Sequence, residues 1–168
     1  DRSREFEDEE VISYELGLKT ELWNNRARIN TAVFYSEFDD LQVSGFEGAG
    51  FIVGNAAESE IYGVEADFTV AVTDTFTLNG ALAYLDTEYK DYPNASCAIG
   101  QIQNGSCDAN GGFQDLGGTS LQFAPEWSGN IGAAYDASLT DSLDIGLRVD
   151  ALYTDDILIA PDADAEVT

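Results

Sequence analysis

A chain of 168 residues, 44% hydrophobic and 11% aromatic, is sized for one folded unit, and its aromatic content argues against the disorder that acidic composition often brings. Seven Lys and Arg against 32 Asp and Glu leave a net charge of −25, which repels a polyanion and argues strongly against nucleic acid or an anionic lipid surface as partner. His is absent, so the commonest general base and metal ligand are missing, and no apolar run approaches the roughly 20 residues of a membrane helix.

Residues 1–10, DRSREFEDEE, are charged without alternation and read as a solvated entry to a strand. A first strand, roughly 11–24, carries Tyr14, Leu16, Leu18 and Leu22 on one parity and Glu15, Gly17, Lys19 and Glu21 on the other. Asn24 and Asn25 tolerate positive φ and suit a tight turn. The return strand, roughly 26–38, alternates Ala27, Ile29, Val33 and Tyr35 with Arg28, Asn30 and Ser36, although Phe34 falls on the polar side. Residues 39–54 read as a long excursion, of which Leu41 to Phe46 and Phe51 to Val53 can extend the flanking strands.

The clearest hairpin follows. Tyr62, Val64, Ala66, Phe68, Val70 and Val72 alternate with Gly63, Glu65, Asp67 and Thr69 in a strand at about 59–73, and Thr73, Asp74 and Thr75 break the pattern. It resumes at about 76–89 with Phe76, Leu78, Leu82 and Tyr84. Residues 86–124 form a second excursion, rich in Gly and Asn, that holds Cys97 and Cys107. The two cysteines read as a loop disulfide in an oxidising compartment, against the alternative of two free thiols. The last two strands, roughly 126–138 and 143–155, set Trp127, Ile131, Ala133 and Tyr135, then Leu143, Ile145, Leu147, Val149, Ala151 and Tyr153, against polar partners.

Six antiparallel up-and-down strands result, joined alternately by short turns and long loops, so all short turns lie at one end. Outer-membrane barrels have this asymmetry, and their strands need only about 9–11 residues each. Near the long-loop end of each strand, on the apolar parity, stands an aromatic with a polar edge: Tyr14, Tyr35, Tyr62, Tyr84, Trp127 and Tyr153. A membrane interface selects such a ring. The apolar parity is otherwise uncharged, and the opposite parity collects Glu15, Lys19, Arg28, Glu65, Asp67, Asp144, Arg148 and Asp150, which a barrel would turn toward its lumen. The expected fold class is therefore all-β, part of a transmembrane β-barrel with lipid against its apolar face. A soluble or secreted β-sheet binding module shares the alternation but needs a second layer that no segment supplies. A small barrel of about eight strands needs two more strands hidden in the excursions.

The run SYELGLKTELWNNRARINTAVFYSEFDDLQV (Ser13 to Val43), then GNAAESEIYGVEADFTV (Gly54 to Val70) and FTLNGALAYLDTEY (Phe76 to Tyr89), resembles the late barrel strands of TonB-dependent outer-membrane receptors. The Tyr14 to Gly17 run, the Phe34 to Gln42 strand with its Asp-Asp and Gln, and Asn55, Ala56, Gly63, Val64 and Glu65 fall in the family's order; Phe123, Pro125, Glu126 and the Tyr153-Thr154-Asp155 strand end match more loosely. The resemblance implies a barrel of about 22 strands with an N-terminal plug domain. It also implies import of scarce ligands such as ferric siderophores, cobalamin or oligosaccharides, powered by an inner-membrane complex. No plug sequence, signal peptide, TonB box or closing strand is identifiable, so the chain is expected to be a segment of such a receptor in the bacterial outer membrane. Its implied partners are the rest of the barrel, the plug and, through the plug, the energising complex.

No catalytic residue, cofactor or metal is expected, and the chain does not read as an enzyme. Glu65 and Asp67 have a spacing that suits acid/base work, but lumen-facing hydrogen bonding explains them better. Asp39 and Asp40, or Asp162, Asp164 and Glu166, offer oxygens to calcium without the glycine and ligand spacing of a defined loop. Asn94-Ala95-Ser96 and Asn104-Gly105-Ser106 match a glycosylation acceptor pattern but fit plain loop residues. Gly63 and Gly80, inside strands, mark close backbone approach or curvature.

Overall fold

The computed structural model describes residues 8–47, 50–97, 99–105, 107 and 112–158. Strands β1 (Glu10–Leu22), β2 (Ala27–Glu47), β3 (Gly50–Ala71), β4 (Phe76–Asp91), β7 (Trp127–Thr140) and β8 (Leu143–Thr154) make one sheet in that spatial order. All its pairings are antiparallel, so the chain runs up and down without crossing over. Between β4 and β7 lie β5 (Ala95–Ser96), α1 (Ile99–Asn104) and β6 (Phe113–Gln114), with β5 and β6 paired as a separate ribbon.

The turns are short because their residues accept unusual backbone geometry. Trp23, Asn24 and Asn25 all have positive φ, at 53°, 54° and 66°. Asn suits that region and Trp does not. Arg26 fastens this turn to the next one, donating from Nη1 to Asp74 Oδ1 at 3.0 Å and from Nε to the Ala71 carbonyl at 3.1 Å.

Both excursions are more ordered than the alternation predicts. β2 and β3 remain paired past Asp39 to Glu47 and Gly50, through register shifts between Phe38 and Gln42, with Asp40 at φ 54°. A bulge adds a residue and swaps the two faces, so the period-two pattern fails there although the ladder continues. The second excursion holds β5, α1 and β6, and residues 116–126 run beside the top of β4. Tyr89 N–H bonds to Thr119 O at 2.9 Å, and Leu85 N–H to Glu126 O at 2.9 Å.

Among the described residues, the buried apolar cluster lies at this long-loop end. Ala57, Tyr89, Tyr92, Ala95 and Leu116 pack together, with Leu41, Val43 and Leu121 against them. Local apolar side chains thus hold the loop as a cap on the tops of β2 to β4.

Phe34, the residue that breaks the polar parity of β2, lies directly opposite Gly63 in β3. A Cβ at Gly63 would stand 2.7 Å from both Cε1 and Cε2 of the Phe34 ring and closer still to Cζ. Phe68 covers Gly80 in the same way on the other face, with Cε1 at 2.7 Å. The rings occupy the space that side chains at the glycines would fill, so each pair behaves as one packing unit. Gly63→Ala is therefore expected to lower folding stability by about 1–3 kcal/mol through overpacking. Adding Phe34→Leu should recover part of that loss, as read from urea unfolding midpoints in lipid vesicles.

Candidate functional site

Ladder partners in an antiparallel sheet share a face. Tyr14, Tyr35 and Tyr62 are successive ladder partners. Tyr84 and Trp127 are partners two residues nearer the short turns, with rings 4.8 Å apart. Tyr153 stands opposite Gly129, two residues nearer again. The line of aromatics therefore steps toward the short-turn end from β1 to β8.

The short turns step in the same sense. The row through Leu22 and Ala27, where the first turn closes, continues through Val70, Leu78, Ala133 and Val149, and β7 and β8 run on past it to Thr140 and Leu143. The row of aromatics and the short turns thus shift in the same sense across the sheet. The separation stays constant at nine residues: Tyr14 to Leu22, Ala27 to Tyr35, Tyr62 to Val70, Phe76 to Tyr84 and Trp127 to Tyr135. A tilted membrane strand needs about 9–11 residues.

Three aromatics at the short-turn end were not singled out from the sequence. Phe76 and Tyr135 are ladder partners there, and Trp23 projects from the first turn with most of its surface exposed. The nine-residue spacing from the upper ring was the available signal for Phe76 and Tyr135. Trp23 carried none, because it lies past the end of the alternation.

Between the two levels the face is apolar and bare. Leu16 is 75% exposed and Val149 71%, with Leu18, Ile131 and Leu147 also open. Among the described residues no second layer covers them, and a contiguous surface of this kind marks a membrane or partner contact. Charge begins one step beyond Tyr35 and Tyr62, at Glu37 and Glu60, and one step beyond Tyr84, at Asp86; Glu37, Glu60 and Glu88 are successive partners. Lys90 reaches Glu60 at 3.3 Å and Glu88 at 3.4 Å, and these carboxylates hold its ammonium above the ordinary lysine range.

The register places Glu15, Lys19, Arg28, Glu65, Asp67, Asp144, Arg148 and Asp150 together on the opposite face. A trough of about 610 Å³ runs over it, bordered by Glu15, Lys19, Glu65 and Asp67. Asn30 Nδ2 donates to both Asp67 oxygens at 2.9 and 3.2 Å, Ser138 Oγ to Asp144 at 2.6 Å, and Arg148 to both oxygens of Asp150 at 2.9 and 3.1 Å. These are cross-strand and same-strand polar ties. Asp67 is engaged by an amide, and no nucleophile stands beside Glu65 to make the pair an acid/base device.

Asp39 and Asp40 fall on the β2 bulge, and Asp162, Asp164 and Glu166 lie outside the described residues. Among the described residues no group of three or more His, Cys, Asp or Glu is arranged to hold a metal.

Cys97 and Cys107 are bonded to each other, with Cα atoms 6.3 Å apart, and they tie the cap across α1. Gln101 and Gln114 exchange amide hydrogen bonds at 3.3 and 3.1 Å inside it. Burial raises the phenol pKa of Tyr89 and Tyr92, which keeps both neutral in the cap core.

A family model described as TonB-dependent receptor-like, β-barrel, matches residues 3–164. The fold is similar to that of the ferric yersiniabactin uptake receptor FyuA from Yersinia pestis, at 15% identity and a TM-score of 0.66, over 92% of this chain and 20% of that one. It is also similar to the siderophore receptor PiuA from Acinetobacter baumannii, at 19% identity and a TM-score of 0.64, over 90% of this chain and 19% of that one. The chain thus spans about a fifth of the length of these solved receptors.

The tied cap predicts that neither Cys97 nor Cys107 takes up iodoacetamide until a reductant is added, as read by peptide mass mapping. Labelling of both without reductant would show that the bond is absent.

Proposed function

This chain belongs to the TonB-dependent receptor β-barrel family, and on that premise we propose that it forms a six-stranded arc in the wall of a receptor that imports a scarce ligand across the bacterial outer membrane. Ferric siderophores are the leading cargo class, in keeping with what FyuA and PiuA are named for, ahead of cobalamin and oligosaccharides. The observation that carries the proposal is the uncovered apolar band nine residues deep below the upper aromatics, closed at the short-turn end by Phe76 and Tyr135 on β4 and β7, with Glu37 and Glu60 one step above Tyr35 and Tyr62.

In this reading Tyr14, Tyr35, Tyr62, Tyr84, Trp127 and Tyr153 stand at the outer interface, where an aromatic with a polar edge satisfies both media. Phe76, Tyr135 and Trp23 mark the periplasmic one. The face holding Glu15, Lys19, Arg28, Glu65, Asp67, Asp144, Arg148 and Asp150 lines the lumen and meets the plug. The free edges of β1 and β8 pair with the rest of the barrel, since an open sheet edge is not tolerated in hydrocarbon. The inner-membrane energising complex acts through the plug, so none of its contacts falls on these strands. A soluble binding module is not favoured, because nothing among the described residues shields the apolar face.

Adjacent residues on opposite faces separate the two solvents. Ile131→Arg, mid-band on the lipid side, should cost about 2–4 kcal/mol of folding stability in vesicles. Asn130→Arg, one residue away on the lumen side, should cost about 1 kcal/mol or less. Equal costs, or recovery of the native protein in the soluble fraction without detergent, would refute the barrel assignment.

A further inference from the structure

The cap holds to the sheet on one particular face. Ser59 and Tyr89 are ladder partners, and the register runs unbroken from them down to Glu65, so Ser59, Tyr89 and Glu65 share the polar parity. Ser59 and Tyr89 are buried there, and Thr87, on the same parity, accepts the Leu121 N–H on its Oγ1 at 3.1 Å. The excursion therefore folds back over the polar face and not over the apolar one.

Two parts of the cap are held by different means. The part against the wall is stitched to the top of β4: Leu116 N–H donates to Tyr92 O at 2.9 Å, Gly118 N–H to Tyr89 O at 2.7 Å, and Tyr89 N–H to Thr119 O at 2.9 Å. Its apolar side chains, Tyr89, Tyr92, Ala95 and Leu116, form the buried cluster with Ala57. The outer part, the described residues of 96–113, lacks such a footing. Helix α1 is six residues long, and the β5–β6 ribbon is two residue pairs. Helices shorter than about 12–15 residues and lone two-stranded ribbons are marginal in water.

What closes the outer part runs within it. Cys97 N–H donates to Gly112 O at 2.7 Å and Cys107 N–H to Gln101 O at 3.2 Å, and the disulfide joins residues ten apart across α1. The Gln101–Gln114 amide pair is its tie to the foot of the cap. A crosslink stabilises chiefly by restricting the unfolded segment, so its share is largest where little else orders the chain.

We propose that the Cys97–Cys107 bond is a redox-operated catch: its reduction by a dithiol frees α1 and the ribbon beyond Ala95, while the part of the cap built on Tyr89, Tyr92 and Leu116 stays on the wall. In the exchange a dithiol thiolate attacks one cysteine sulfur and the S–S bond breaks, releasing the other cysteine as a thiol. The second thiol of the reductant then closes its own disulfide and releases the first cysteine, so one dithiol is oxidised for two thiols formed. That the freed part lies at a receptor mouth rests on the receptor function proposed above, because the polar face is then the lumen wall.

Hydrogen exchange read by mass spectrometry on the folded receptor in detergent, with and without dithiothreitol, tests the catch. Reduction should speed exchange in peptides covering Ile99 to Asn104 at least about tenfold, and change it less than about twofold at Tyr89 and at Leu116 to Thr119. The double variant Cys97→Ser, Cys107→Ser should exchange as the reduced wild type does, with or without the dithiol. Unchanged exchange in α1 on reduction overturns the proposal, because the hydrogen bonds alone would then hold the outer part. Faster exchange at Tyr89 and Leu116 together with α1 overturns it as well, because the cap would then open as one unit. Heat-modifiable electrophoretic migration without reductant reports the barrel separately; its absence would sink the receptor function, and the exchange pattern would still decide the catch.

Discussion

In hydrocarbon a backbone N–H or C=O has no water to turn to, so every strand must find its hydrogen-bond partners in a neighbouring strand. The ladders of β1 to β4, β7 and β8 meet that requirement across the apolar band, and the rest of the architecture follows from it. Ladder register decides which side chains share a face. A shift of one residue would exchange Leu16, Val33 and Val64 with Glu15 and Glu65 across the two faces of the sheet. The uncharged parity and the hydrogen-bond register are two expressions of one constraint.

Stability is distributed unlike that of a soluble domain. The sheet itself buries few large side chains, and its apolar face is satisfied by the surrounding medium. What packs tightly within the band is the pairing of an aromatic with a glycine, Phe34 over Gly63 and Phe68 over Gly80. Among the described residues, an ordinary water-excluding core forms at the long-loop end, around Tyr89, Tyr92 and Leu116. The disulfide Cys97–Cys107 and the Gln101–Gln114 amide pair reinforce that same region.

Polar groups are divided by height as well as by face. Arg26 and Asp74 link adjacent turns at the short-turn end, Asn30 and Asp67 tie strands in the middle of the polar face, and the paired carboxylates Glu37, Glu60 and Glu88 lie toward the long-loop end. None of these arrangements supplies a nucleophile with a base or a metal cage. They are ties between strands and between turns.

By itself the sequence determined the strands, their two faces, the short-turn and long-loop ends and the family, because period-two alternation is a local consequence of the pleat and survives wherever one face meets lipid. It misplaced what depends on a break in that period: Asp39 and Asp40 read as the start of a loop, whereas a bulge absorbs them and the ladder runs on. Phe34 looked like a flaw in β2 until the register set it over Gly63. Only the tertiary structure decided that the described residues of 86–124 fold into a cap and that Phe76 and Tyr135 stand opposite each other at the short-turn end. Each of these arises from contacts between segments far apart in the chain, which leave no periodicity for a sequence to display.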